Sequence, residues 1–268
     1  MGELIFVGLG LYDELDISLR GLEMIKRADY VYAEFYTSLM AGFHLKKLKE
    51  LTGKKIIAVS RKVLEEENGE VILQKATNAK VVFLVPGDPL IATTHIDLRI
   101  QAEKHSIKTH VVHGASIISA AIGLSGLQNY KFGRSVTVPF PEGGFLSEIP
   151  YDVISENKTR DLHTLCFLDI QAEKQRCMTI KEALTLLLTL EQKKKQHVVT
   201  QDSLAVTVSR AGAEDATVRA EKVGNLMKLD FGAPPHALIF PAEKLHFMEA
   251  EALVRLANAP EWLRVMIR

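Results

Sequence analysis

The sequence predicts an α/β protein, and three observations carry that prediction. Short apolar runs rich in β-branched residues alternate with segments of helical periodicity along the chain. Residues 81–85, Val-Val-Phe-Leu-Val, lack the polar alternation of a half-buried strand, as a strand covered on both faces requires. That run passes without a spacer into Pro86-Gly87-Asp88-Pro89, which cannot continue a strand and forces a tight turn. Strand and helix in this alternation imply a largely parallel sheet with helices on its faces.

Residues 4–7 are the first strand, followed by Gly8-Leu9-Gly10-Leu11-Tyr12-Asp13. Two glycines directly after a strand predict a sharp turn or a close backbone approach. A dinucleotide fingerprint requires a third glycine where Asp13 stands, so this loop gives a nicotinamide cofactor little support. Ser18 is a helix N-cap, with Leu19, Leu22 and Ile25 as the apolar stripe and Lys26-Arg27 at the C-terminal end. Residues 28–33 form a second strand, leading into a polar and aromatic loop that contains Glu34 and Tyr36. A third strand covers 55–59, and 61–78 is helical and charged. The turn after 81–85 then places the Asp88 carboxylate at the carboxyl end of a buried strand, the edge where open α/β sheets bind ligands. A helix over 94–105 and a strand over 109–113 lead to Gly114-Ala115-Ser116. Free N–H groups at that helix start favour polar or anionic ligand atoms, and Ser116 can also cap its own helix. His110 and His113, three apart in a strand, face opposite ways, and no acidic neighbour stands at ligand spacing, so no metal site is expected here.

The second half is again α/β. A junction is expected around residues 129–134, then a strand over 135–138 and a proline-containing loop over 139–150. Residues 163–170 form a strand that ends in the carboxylate of Asp169. Thr179-Ile180-Lys181-Glu182 is a capping box, opening a helix with Ala183, Leu184, Leu187 and Leu188 as its stripe. Lys193, Lys194 and Lys195 close it and are expected to complement the helix terminus in solvent, binding nothing. A strand over 203–212, a short helix near 223–227, Pro234-Pro235-His236, a last strand over 237–240 and a helix over 245–258 complete the chain.

Composition narrows the function classes. Lys plus Arg and Asp plus Glu number 33 each, so zero net charge argues against a broad nucleic-acid or anionic-membrane footprint. No signal peptide is read, and no run approaches the roughly 18 apolar residues of a membrane span. Two cysteines, Cys166 and Cys177, are too few for a disulfide framework. A cytoplasmic protein is expected.

Four marks in order, Val7-Gly8-Leu9-Gly10, Ala28-Asp29-Tyr30-Val31, Gly87-Asp88-Pro89 and Gly114-Ala115-Ser116, resemble the tetrapyrrole-methylase superfamily of S-adenosylmethionine-dependent methyltransferases. The chain departs from the tetrapyrrole enzymes after Gly10, where Leu-Tyr-Asp replaces Pro-Gly-Asp, which disfavours a porphyrin or corrin substrate. Residues 8–14, 33–40 and 86–90 are instead similar to the diphthine synthase family of diphthamide biosynthesis. Lys131-Phe132-Gly133, Phe167-Leu168-Asp169-Ile170, Ser209-Arg210-Ala211-Gly212 and Pro234-Pro235-His236 extend that likeness end to end. The resemblance implies two α/β domains, 1–131 and 132–268, with S-adenosylmethionine bent in a cleft between them and usually a homodimer. It maps the cofactor contacts onto Leu11, Asp88, Ile91, Ser116, Ile117, Leu168, Ala211 and His236, with Asp169 able to take the slot of Leu168. It further implies N-methylation, in three successive transfers, of the 3-amino-3-carboxypropyl-histidine of translation elongation factor 2. Asp88, Asp169, Glu34 and Tyr36 are candidates to line the cleft, and no general base is assigned. The alternatives are a precorrin or uroporphyrinogen methyltransferase of the same fold, or a binding module without catalysis.

Overall fold

In the computed structural model the described residues are 2–266. Backbone contacts divide the chain into two compact units. One runs to Ile117 and takes in Ile170–Gln175, and the other holds Ile118–Asp169 and the chain from Arg176 onward.

The first unit is built on β1 (Glu3–Gly8), β2 (Tyr30–Ala33), β3 (Ile56–Ala58), β4 (Lys80–Val85) and β5 (Lys108–Val112). They form one sheet in the order β3-β2-β4-β1-β5, parallel at every pairing. Helices α1 (Leu19–Lys26) and α2 (Leu45–Thr52) cover one face, where Ile5, Val7, Val31, Val82 and Leu84 pack with Ile25 and Leu48. Helices α3 (Glu70–Ala76) and α4 (Ile96–Lys104) cover the other, where Leu4, Phe6, Val81 and Phe83 pack with Ile72, Leu73 and Leu98. Successive residues of β1 and β4 thus enter opposite cores, which is why neither run shows polar alternation. The Ser18 hydroxyl accepts from the Gly21 N–H and starts α1 as expected. The charged stretch after β3 is not one helix. A π-helical turn (Lys62–Glu66) precedes α3, and Asn68 and Gly69 both take positive φ between them.

The second unit contains α5 (Ile117–Ser125) from Ile118 onward, β6 (Val136–Val138), α6 (Ile149–Thr159) and β7 (Thr164–Leu168). After β8 (Ile170–Gln171) and β9 (Arg176–Cys177) come α7 (Ile180–Lys194), β10 (Leu204–Ser209), β11 (Thr217–Lys222), α8 (Val223–Leu226), β12 (His236–Phe240) and α9 (Phe247–Leu256). Its sheet runs β11-β10-β12-β7-β6, antiparallel except for the β6–β7 pair. Val138, Cys166, Leu168, Ala205 and Leu238 on one face pack against Tyr151, Ile154, Leu184, Leu187 and Leu226 of α6, α7 and α8.

Among the elements that escaped the sequence reading are the β8–β9 ribbon, α6 and β11. Helix α6 begins inside the stretch read as a loop, with Pro150 tolerated in the first turn where its missing N–H costs nothing. Strand β11, with Arg219, Glu221 and Lys222 among its six residues, lies at the end of its sheet beside β10, as an edge strand does. The capping box is present, Thr179 Oγ1 accepting from the Glu182 N–H and Glu182 from the Thr179 N–H. The lysines that end α7 are not idle. Lys193 and Lys194 both pair with Glu148, and Lys194 also pairs with Asp152, carboxylates of α6 and its approach more than 40 positions earlier. Among the described residues no helix is long and apolar enough to cross a membrane.

Candidate functional site

In the first sheet the chain leaves β1 toward α1 on one face and β4 toward α4 on the other, and β1 and β4 are neighbours. Connections that part to opposite faces open a crevice at the carboxyl edge, the place where parallel α/β sheets take ligands. The loops meeting there are held by backbone. Gly10 and Gly87 exchange hydrogen bonds, the Gly87 N–H to the Gly10 carbonyl at 2.7 Å and the Gly10 N–H to the Gly87 carbonyl at 3.2 Å. A Cβ on Gly8 would lie 2.5 Å from the Gly87 carbonyl oxygen and 2.6 Å from the Gly114 nitrogen. One on Gly114 would lie 2.4 Å from that same oxygen. The exits of β1, β4 and β5 are therefore one backbone cluster that admits no side chain at its centre.

Five of the residues named from the sequence lie on this cluster. Leu11 follows Gly10, and its N–H and that of Tyr12 donate to Asp16 Oδ2 at 2.9 and 2.7 Å. Asp16 was not singled out in the sequence, yet its carboxylate fixes the turn. Asp88 is 5% exposed. Its Oδ1 accepts from the Leu90 N–H at 3.1 Å and its Oδ2 lies 2.7 Å from His113 Nδ1. Asp88 thus reaches His113 from the end of β4 past the end of β1 to β5, a contact between residues 25 positions apart. Ile91 is exposed, and Ser116 and Ile117 are half-buried at the start of α5.

Next along this edge, Glu34 is fully buried. Its Oε2 accepts from the N–H groups of Tyr36 and Thr37 at 2.9 and 3.0 Å, and its Oε1 takes the Thr37 hydroxyl and lies 3.2 Å from His95 Nε2. Glu34 is thus an anchor joining the loop after β2 to the end of the Asp88 loop, with no oxygen turned toward solvent. The Tyr36 hydroxyl is buried without a hydrogen-bond partner among the described residues, and burial, then the charge of Glu34, pushes its pKa up.

In the second sheet the remaining three lie at one end. Leu168 closes β7, His236 opens β12, and Ala211 stands two residues past β10, these three strands being neighbours. Asp169 Oδ2 accepts from the Phe140 N–H at 2.9 Å, so its carboxylate holds the loop after β6. His236 faces Ser209 in register, and both are shielded, at 9% and 0% exposure. Among the described residues, both His236 ring nitrogens and the Ser209 hydroxyl lack a hydrogen-bond partner. Burial, then the nearby charge of Arg210, lowers the His236 pKa from 6.5, so its imidazole is neutral at pH 7 and can both donate and accept.

The comparisons with known proteins follow these features. Residues 3–227 match the model of the tetrapyrrole (corrin/porphyrin) methylases. The diphthine synthase of Methanosarcina barkeri is 49% identical over 262 residues, covering 96% of this chain and 97% of that protein. That of Methanocaldococcus jannaschii is 46% identical over 257 residues, covering 95% and 99%. A crystal structure of a diphthine synthase superposes with a TM-score of 0.89 at 41% identity, covering 98% of this chain and 99% of that one. A putative diphthine synthase from Entamoeba histolytica gives 0.88 at 36% identity, covering 97% and 100%. The chain belongs to the tetrapyrrole methylase family and, within it, to the diphthine synthase family of methyltransferases.

Proposed function

We propose that the chain takes methyl groups from S-adenosylmethionine to the amino group of the 3-amino-3-carboxypropyl arm on a modified histidine of translation elongation factor 2. The product is diphthine, after three successive transfers, and the enzyme works in the cytoplasm as a homodimer. The observation that carries this reading is a likeness to diphthine synthases that spans 96% of the chain.

The residues present fit the donor. The cluster of Gly8, Gly87 and Gly114 leaves bare peptide groups at the crevice, and His236 keeps two unpartnered ring nitrogens in a shielded position. Leu11, Asp88, Ile91, Ser116 and Ile117 in one unit, and Leu168, Ala211 and His236 in the other, are the residues proposed to hold it. When bound, S-adenosylmethionine supplies a methyl carbon already activated by a sulfonium, so the chemistry asked of the protein is alignment. Leu11, Ile91, Ile117, Leu168 and Ala211 exclude water and shape the site, while His236 offers polar atoms without charge. The Asp88 carboxylate holds its own turn and His113, keeping the Gly87–Gly10 exchange in place. No side chain is assigned as a general base, and the attacking amine must arrive unprotonated.

The test is incubation with methyl-labelled S-adenosylmethionine and elongation factor 2 bearing the unmethylated arm. Label is expected on the factor. Label only on an added tetrapyrrole, or bound donor without transfer to anything, contradicts the proposal.

A further inference from the structure

The end of the second sheet that carries Ala211 and His236 consists of two loops, and one side chain ties them together. Arg210 follows β10 directly, takes φ +51, and its N–H donates to the Pro235 carbonyl at 2.9 Å. Its guanidinium uses the whole fork. Nη1 donates to the carbonyls of Phe231 and Ala233 at 2.7 and 2.9 Å. Nε donates to Asp215 Oδ2 at 2.8 Å, and Nη2 to the Asp215 carbonyl at 3.2 Å. The Gly232 backbone approaches so closely that a Cβ there would lie 2.9 Å from Nη1. The Arg210 side chain is only 13% exposed, with its bond to the Phe231 carbonyl on the inner side and its bonds to the more exposed Asp215 on the outer side.

A planar fork of fixed donors sets relative positions as a single ammonium cannot. On one side it fixes the turn from 210 to 215, which contains Ala211, and on the other the segment 231–235, which delivers His236. The backbone also joins the two loops, through the β10–β12 ladder, whose last pair is Ser209 with His236, and through the Arg210 N–H bond to Pro235. The unpartnered nitrogens of His236 and hydroxyl of Ser209 beside this frame are the groups whose placement it governs.

We infer that Arg210 is the positioning residue of the donor site, holding Ala211 and His236 in the arrangement that S-adenosylmethionine binds, without itself touching the reacting atoms. The inference rests on the donor reading above.

The test compares wild type, Arg210→Lys and Asp215→Asn in S-adenosylmethionine binding by calorimetry, in kcat at saturating donor, and in thermal melting. Arg210→Lys keeps the charge and loses the fork, and is expected to weaken donor binding by about tenfold or more, with kcat at saturation within about threefold. Asp215→Asn takes the charge from the acceptor of the Nε bond and is expected to weaken binding by about threefold. Should Arg210→Lys fail to fold, Asp215→Asn decides alone. Donor binding within about twofold of wild type in the folded variants, with only the melting temperature lowered, overturns the inference and leaves the donor reading intact. A wild type that does not bind S-adenosylmethionine overturns both.

Discussion

Replacing Gly8 by alanine tests whether the exits of β1, β4 and β5 form one backbone cluster. The new Cβ would stand 2.5 Å from the Gly87 oxygen, 2.6 Å from the Gly114 nitrogen and 2.8 Å from the Gly114 Cα. All three atoms are backbone, so no side-chain rotation relieves the contact. The loops must part by half an ångström merely to bring the closest contact to 3.0 Å, which is still crowded. Overpacking of this kind costs about 1–3 kcal/mol. A shift of up to about 1 Å in a site that acts by alignment costs up to roughly a hundredfold in rate. Gly123→Ala is the control, because a Cβ there meets nothing within 4 Å and sits inside α5, where alanine is the better helix former by about 1 kcal/mol. Urea denaturation and donor titration of both variants make the comparison. Gly8→Ala is expected to lose stability and donor affinity together, and Gly123→Ala to match or exceed wild type in stability. Equal donor affinity in Gly8→Ala and wild type would refute the cluster as a binding element.

Three further outcomes follow from hydrogen-bonded carboxylates. Glu249 is fully buried, and although burial alone would raise its pKa, bonds from His163, the Gln128 N–H and the His246 N–H hold it at about 2. A depressed carboxylate stabilises the fold above its ordinary value of 4.5 and loses that contribution as pH falls toward 2, so the stability gap between wild type and Glu249→Gln is expected to be about 3 kcal/mol at pH 7 and about 1 kcal/mol at pH 3. A gap that ignores pH in denaturant titrations would count against it. Glu191 accepts the Tyr151 hydroxyl and the N–H groups of His197, Val198 and Val199, so Glu191→Ala should cost about 2–4 kcal/mol in the same assay. Asp88→Asn replaces one acceptor of the Asp88–His113 contact with an amide and is expected to weaken donor binding about tenfold, while a variant that binds and turns over as wild type removes Asp88 from the account.

What the sequence disclosed was mostly local. The Ser18 cap, the Thr179–Glu182 box and the doubly buried run of β4 each depend on residues within a few positions, and all three are present. The glycines after β1 signalled a close approach, but its partners Gly87 and Gly114 lie some 80 and 106 positions away, and only the strand order β4-β1-β5 brings them together. Shorter separations, 25 positions for Asp88–His113 and more than 40 for the lysines of α7 with Glu148 and Asp152, were still too long for local pattern to show. Family resemblance pointed to Ala211 and His236. The fork that joins their loops could not be read, since an arginine beside a small residue carries no sign of which carbonyls it will reach.

The most direct measurement is mass spectrometry of the modified-histidine peptide of elongation factor 2 after incubation with the protein and S-adenosylmethionine. The proposed activity predicts stepwise gains ending at three methyl groups, all on the amine of the arm. A peptide that keeps its starting mass, with the donor bound and unconsumed, would contradict it.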